Sequence, residues 1–146
     1  VLVLVQSLLG ALVAGLDAGT TYIDWPFMDG DIIPTGLFAM SPAVSHLFES
    51  HLTVQFNHRL VAYFLTGAVI WHLYRLTRAQ ASKPVLVSAA LLVAAVLGQG
   101  VLGIVTLMNA VPLPLGAAHQ LGAVLVLGLA ITHLHYMRFP KMVTPR

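Results

Sequence analysis

The sequence predicts an all-α membrane protein: a four-transmembrane-helix bundle with a long outer loop between helices 1 and 2. Composition is the first reason. The 146 residues are 58% hydrophobic and 8% charged, with a mean hydropathy of +0.89, whereas soluble domains carry roughly 25% charged residues. Segmentation is the second. Apolar residues gather into residues 1–18, about 53–74, about 84–108 and about 114–136, and the last three reach the roughly 20 residues a spanning helix needs. Charge placement is the third. The acids Asp17, Asp24, Asp29, Asp31 and Glu49 all precede the second segment, Arg75, Arg78 and Lys83 lie between the second and third, and Arg138, Lys141 and Arg146 follow the fourth. Cytoplasmic loops are enriched in Lys and Arg, so the basic ends face the cytoplasm or matrix and the acidic loop faces outside.

Each element has its own local signals. The first segment opens at Val1 without the basic flank of a signal peptide, and reads as clipped, the start of a fragment of a longer protein. Ala11, Ala14, Gly15 and Ala18 give it a small-residue seam for close helix packing, and Ala94, Ala95 and Gly98 give the third segment another. The loop, about residues 19–52, runs GTTYIDWPFMDGDIIPTGLFAMSPAVSHLFES. Its Pro, Gly and Asp content breaks any continuous helix, and its length argues for a functional role. The second segment opens TVQFNHRLVAYFL and carries His58 and Arg59 towards hydrocarbon, where a charged side chain costs at least about 2.5 kcal/mol. The fourth begins near Pro114 and places His119 early. QSLLG at 6–10 matches QGVLG at 99–103, and each helix so marked precedes one with an early His, a faint sign of two related helix pairs. The whole chain, 1–146, is read as one bundle.

Composition also excludes chemistry. With no Cys, disulfides, thiolate metal sites and cysteine nucleophiles are ruled out. Seven basic residues, a net charge of +2 and a pI near 9.3 make no nucleic-acid footprint.

Seven His without Cys make histidine the chemistry to explain. His58 and His119 each lie about five residues into a segment that runs from outside to inside, so they share one depth. Two neutral imidazoles at one depth suit axial ligation of a haem iron inside a four-helix bundle; a hydrogen bond between helices is the competing reading. Ala62, Gly122 and Ala123 lie one turn on, on the same faces, and leave room for a porphyrin. Arg59 suits a haem propionate, or else snorkels to the interface. His72 and His133 each follow 14 residues later, about 21 Å along the same face, which permits a second ligand pair. WHLYR and THLHYMR nevertheless read as interfacial anchors beside the basic border. His46, His51 and His135 are expected at the surface.

GALVAGLDAGTTYIDWPFMDGDIIP, LFES, TVQFNHRLVAYFL and VLGIVTLMNAVPLPLGAAHQLGA together resemble the C-terminal half of the haem A synthase family, of the mitochondrial and alphaproteobacterial type. The resemblance runs through most of the chain. It implies a membrane oxidoreductase that converts haem O to haem A for cytochrome oxidase assembly, built from two similar four-helix bundles. It further implies that His58 and His119 hold a haem b cofactor here, while a missing N-terminal half binds the haem O substrate. His58 and His119 are then cofactor ligands and not the catalytic centre, the catalytic residues stay unassigned, and this chain alone would not complete the reaction. In the family's substrate half an acidic residue stands three positions before the HR histidine; here that position is Gln55, which cannot serve as general acid or base. Ile23 stands where the family often has Asn.

Trp25 suits a cover over the haem edge, with Asp17, Asp24 and Asp29 assisting electron or proton transfer, against the plainer reading of turn chemistry in a lid. The implied partners are haem O, the lipid bilayer and an electron acceptor that the sequence does not identify; homo-oligomerisation is left open. The implied location is the bacterial inner membrane, or the mitochondrial inner membrane in the alternative. Rival readings are a dihaem b-type transmembrane cytochrome using His58, His72, His119 and His133, and a haem-free assembly factor.

Overall fold

The computed structural model describes residues 1–37, 39 and 42–139, so Lys141 and Arg146 lie outside the described residues. The regular secondary structure of the described residues is helical, with α1 Leu2–Gly15, α2 His46–Glu49, α3 His51–Arg78, α4 Lys83–Met108 and α5 Leu113–Arg138. The one sheet-like feature among the described residues is an isolated bridge between Met28 and Asp31.

The boundaries follow from local chemistry. Ser50 caps α3, its hydroxyl oxygen accepting the Thr53 N–H at 3.2 Å. Pro84 and Pro114 occupy the first turns of α4 and α5, where a missing N–H costs nothing. α1 stops sooner than its apolar run suggests, because Asp17 turns left-handed at φ 51°. The α4–α5 turn is tight, with Ala110 and Val111 both at positive φ. A β-branched residue such as Val111 rarely adopts that conformation.

α1 packs on α3, α3 on α4, α4 on α5, and α5 returns to α1. That order sets α3 and α5 at opposite corners of the bundle. Between them Val3, Leu65, Val69, Leu92, Val96 and Val126 form the main core, and Leu76, Val85 and Ala89 form a smaller one at the far end.

The outer faces are apolar as well. Leu60, Phe64, Leu91, Val101, Leu121, Val124 and Ile131 are all exposed. α4 and α5 are long and apolar enough to cross a membrane, and only 6% of the most apolar stretch of α5 is buried inside the bundle. A water-soluble domain rarely shows so broad an apolar face, and in lipid a helix meets its own backbone needs. The chain is a membrane protein. α3 matches the other two helices in length at 28 residues, but His58, Arg59 and His72 interrupt its apolar character.

Candidate functional site

Two adjoining cavities of about 380 and 490 Å³ lie between α1, α3, α4 and α5, within the roughly 300–1,000 Å³ of small-molecule sites. His58 and His119 line both. The shared walls also hold Gly10, Ala62, Val96 and Gln120, so the two spaces are lobes of one cleft. One lobe reaches the 16–50 connection through Asp17, Trp25, Arg59, Tyr63 and Val111. The other descends past Gln6, Ala123 and Leu127 to the core residues Val3, Leu65 and Val126.

Facing positions on diagonal helices bring the two imidazoles to one cleft, as their matched depth predicts. Gln6 Nε2 donates to the His58 carbonyl at 3.1 Å and lies 3.1 Å from its Nδ1 and 3.3 Å from its Nε2. Gln99 Nε2 donates to the His119 carbonyl at 2.6 Å. The Nδ1 of His119 is buried without a hydrogen-bond partner. Ala62 and Ala123 border the cleft as expected. Gly122 departs from expectation: the space a side chain would fill there is occupied by Gln99.

Arg59 ties down the connection. Its Nη1 donates to the Asp24 and Phe27 carbonyls at 3.0 and 2.9 Å, and its Nη2 to the Tyr22 carbonyl at 2.8 Å. Buried Gln55 adds a bond to the same Tyr22 carbonyl at 2.9 Å, and Trp25 Nε1 donates to the Tyr63 hydroxyl at 2.9 Å. The connection therefore closes one end of the cleft as a fixed lid. Only Nε of Arg59 remains buried and without a partner.

The second histidine pair differs from its expected interfacial role. His72 Nε2 lies 2.9 Å from His133 Nε2, and His133 Nδ1 lies 2.8 Å from the Ser88 hydroxyl. That hydroxyl donates its one proton to the Val85 carbonyl at 2.9 Å, so it accepts from His133 Nδ1–H. Neutral His133 then accepts at Nε2 from His72. Trp71 and Tyr74 do stay outside, but the imidazoles clasp α3, α4 and α5 together. His46, expected at the surface, is fully buried, whereas His51 and His135 are exposed as expected.

These features define a class: a helical membrane protein that presents two imidazoles from diagonal helices to one lidded, largely apolar cleft. The chain belongs to the cytochrome oxidase assembly protein family (COX15-CtaA), whose model matches residues 1–131. It is 50% identical over 134 residues to the heme A synthase of Parvibaculum lavamentivorans, covering 92% of this chain and 38% of that protein. It is 49% identical over 130 residues to the heme A synthase of Sinorhizobium medicae, covering 89% and 35%. For the heme A synthase of Chelativorans sp. the identity is 47% over 133 residues, covering 91% and 37%. The chain thus spans little more than a third of the length of these relatives. No solved structure matches it.

Proposed function

We propose that this chain is the haem b-binding part of a haem A synthase, with His58 and His119 as the axial ligands of the iron. The observation that carries this reading is the single cleft walled by both imidazoles. Three features of the cleft suit a porphyrin. Its lining is largely apolar, His119 keeps a buried ring nitrogen, Nδ1, that no protein group holds, which leaves that ring free to turn towards a ligand, and Gly10 and Gly103 leave no side chain between their helices and the two rings. When bound, the haem supplies one-electron redox chemistry at its iron. His58 and His119 would hold it, Arg59, whose buried Nε has no partner, would meet a propionate, and Trp25 borders the same end of the cleft.

On this reading α1, α3, α4 and α5 are four membrane spans forming one bundle over residues 1–146. Haem O oxidation takes place in the remainder of the protein, since Gln55 holds the lid and offers no acid or base. The bacterial relatives support a place in the inner membrane. The purified protein is expected to show a low-spin b-type spectrum, with haem b identified as its pyridine haemochrome. Protein that purifies with its helices intact and carries no haem b would refute the assignment.

Orientation follows from charge. The lid faces the periplasm and the α3–α4 turn the cytoplasm, because Arg75, Arg78 and Lys83 flank that turn. A Ser82→Cys variant should resist membrane-impermeant thiol reagents in intact cells and react with them once the cells are permeabilised. Rapid labelling from outside would invert the topology.

A further inference from the structure

Each histidine helix is backed by the long helix that comes before it in the chain, α1 for α3 and α4 for α5, and the two backings match. Gln6 and Gly10 on α1 meet His58 on α3; Gln99 and Gly103 on α4 meet His119 on α5. On both supporting helices the Gln stands four residues before the Gly, which puts the two side by side on one face. In both pairs the Gln amide donates to the main-chain carbonyl of the His, at 3.1 Å for Gln6 and 2.6 Å for Gln99. In both pairs the Gly lies against the ring. A Cβ at Gly10 would stand 3.2 Å from Cε1 of His58, and one at Gly103 would stand 2.8 Å from Cε1 of His119. Among the described residues no other glycine meets a histidine in this way. The QSLLG and QGVLG repeat is thus the sequence trace of one contact made twice.

The two copies differ at the imidazole. Gln6 also reaches the ring, its amide nitrogen standing 3.1 Å from Nδ1 and 3.3 Å from Nε2 of His58. Gln99 reaches only the carbonyl, and Nδ1 of His119 has no partner.

We infer that Gln6–Gly10 and Gln99–Gly103 are two copies of a ligand-positioning device, in which the Gly seats the imidazole and the Gln fixes the helix at the His. The inference rests on the haem reading above. A ring seated against a glycine and a main chain tied at the same residue leave each imidazole one place in the cleft.

The test uses the detergent-purified protein with its bound haem and reads haem content, the low-spin signal and helix content. Gln6→Leu and Gln99→Leu, which lose the bond to the main-chain carbonyl of the His, are expected to lower haem affinity about 10–100-fold. Gly103→Ala should lose more haem than Gly10→Ala, following the closer approach, with helix content retained in both. Gly98→Ala, whose Cβ meets nothing within 4 Å, should match the parent. A haem that survives His58→Ala would overturn the ligand reading and this inference together. Haem lost in His58→Ala but held as tightly as in the parent by both Gln variants would overturn the fixing role alone. Equal haem content in Gly103→Ala and Gly98→Ala would overturn the seating role.

Discussion

Replacing either His58 or His119 with Ala is expected to remove haem from the purified protein, and both variants should do so alike. Each ring is one of two protein ligands proposed for a single iron, and the cleft contains no third imidazole to take over: His72 and His133 are joined to one another at 2.9 Å, and His46, His51 and His135 do not border either lobe. Losing a residue that merely orients a ligand costs roughly 10–100-fold in metal affinity. Losing the ligand itself should exceed that, so the Soret band at the parent's position should fall below detection after detergent exchange. His51→Ala and His135→Ala, both exposed, should leave the band unchanged. His46 is no neutral control, because it is fully buried and its loss would disturb the lid. Helix content measured alongside separates loss of haem from loss of fold. Full haem retention in both His58→Ala and His119→Ala, with the fold intact, would remove the basis of the assignment.

The chain declares its bundle in the sequence because hydrocarbon leaves few options. Long apolar segments with basic ends admit only helices, and the second, third and fourth segments lie within a few residues of α3, α4 and α5. α1 is shorter than its apolar run, since a single left-handed residue, Asp17, ends it where hydropathy does not change sign. That His58 and His119 meet at one cleft was legible from shared depth, because two parallel helices with equal offsets place equal positions at one level. The role of Arg59 was not. Spacing cannot say that two of its nitrogens meet the carbonyls of Tyr22, Asp24 and Phe27, which are about 35 residues away in a segment with no periodicity. The burial of His46 was hidden for the same reason. Gly122 shows a different limit: a small residue announces that something large lies opposite, but not whether it is a cofactor or Gln99. Ser88 carried no signal at all, being one hydroxyl in an apolar run that gains meaning only from His133 across the bundle.

A haem-to-protein ratio near one is expected for the cleft described here, although the 14-residue spacings from His58 to His72 and from His119 to His133 permit two sites on paper. The second pair is the wrong distance apart. Two imidazoles on opposite sides of one iron need about 4 Å between their ligating nitrogens, twice a metal–imidazole bond of about 2.0 Å, whereas His72 Nε2 and His133 Nε2 stand 2.9 Å apart. The rings meet edge to face, 80° apart, with no porphyrin-sized gap between them. His133 Nε2 already accepts a hydrogen bond from His72, and its Nδ1 is committed to Ser88. Opening that level for a haem would part α3 from α5 and break the contacts of Leu76, Val85 and Ala89 just beyond it. The pair is therefore expected to act on stability. His72→Ala leaves His133 Nε2 without its donor and should cost about 1–2 kcal/mol, read as a lower midpoint of thermal unfolding. The double variant His72→Leu with His133→Leu removes both partners and should recover part of that loss. In all of these variants the haem ratio should stay near one. A ratio near two in the parent, falling to one in the double variant, would instead make this chain a dihaem cytochrome.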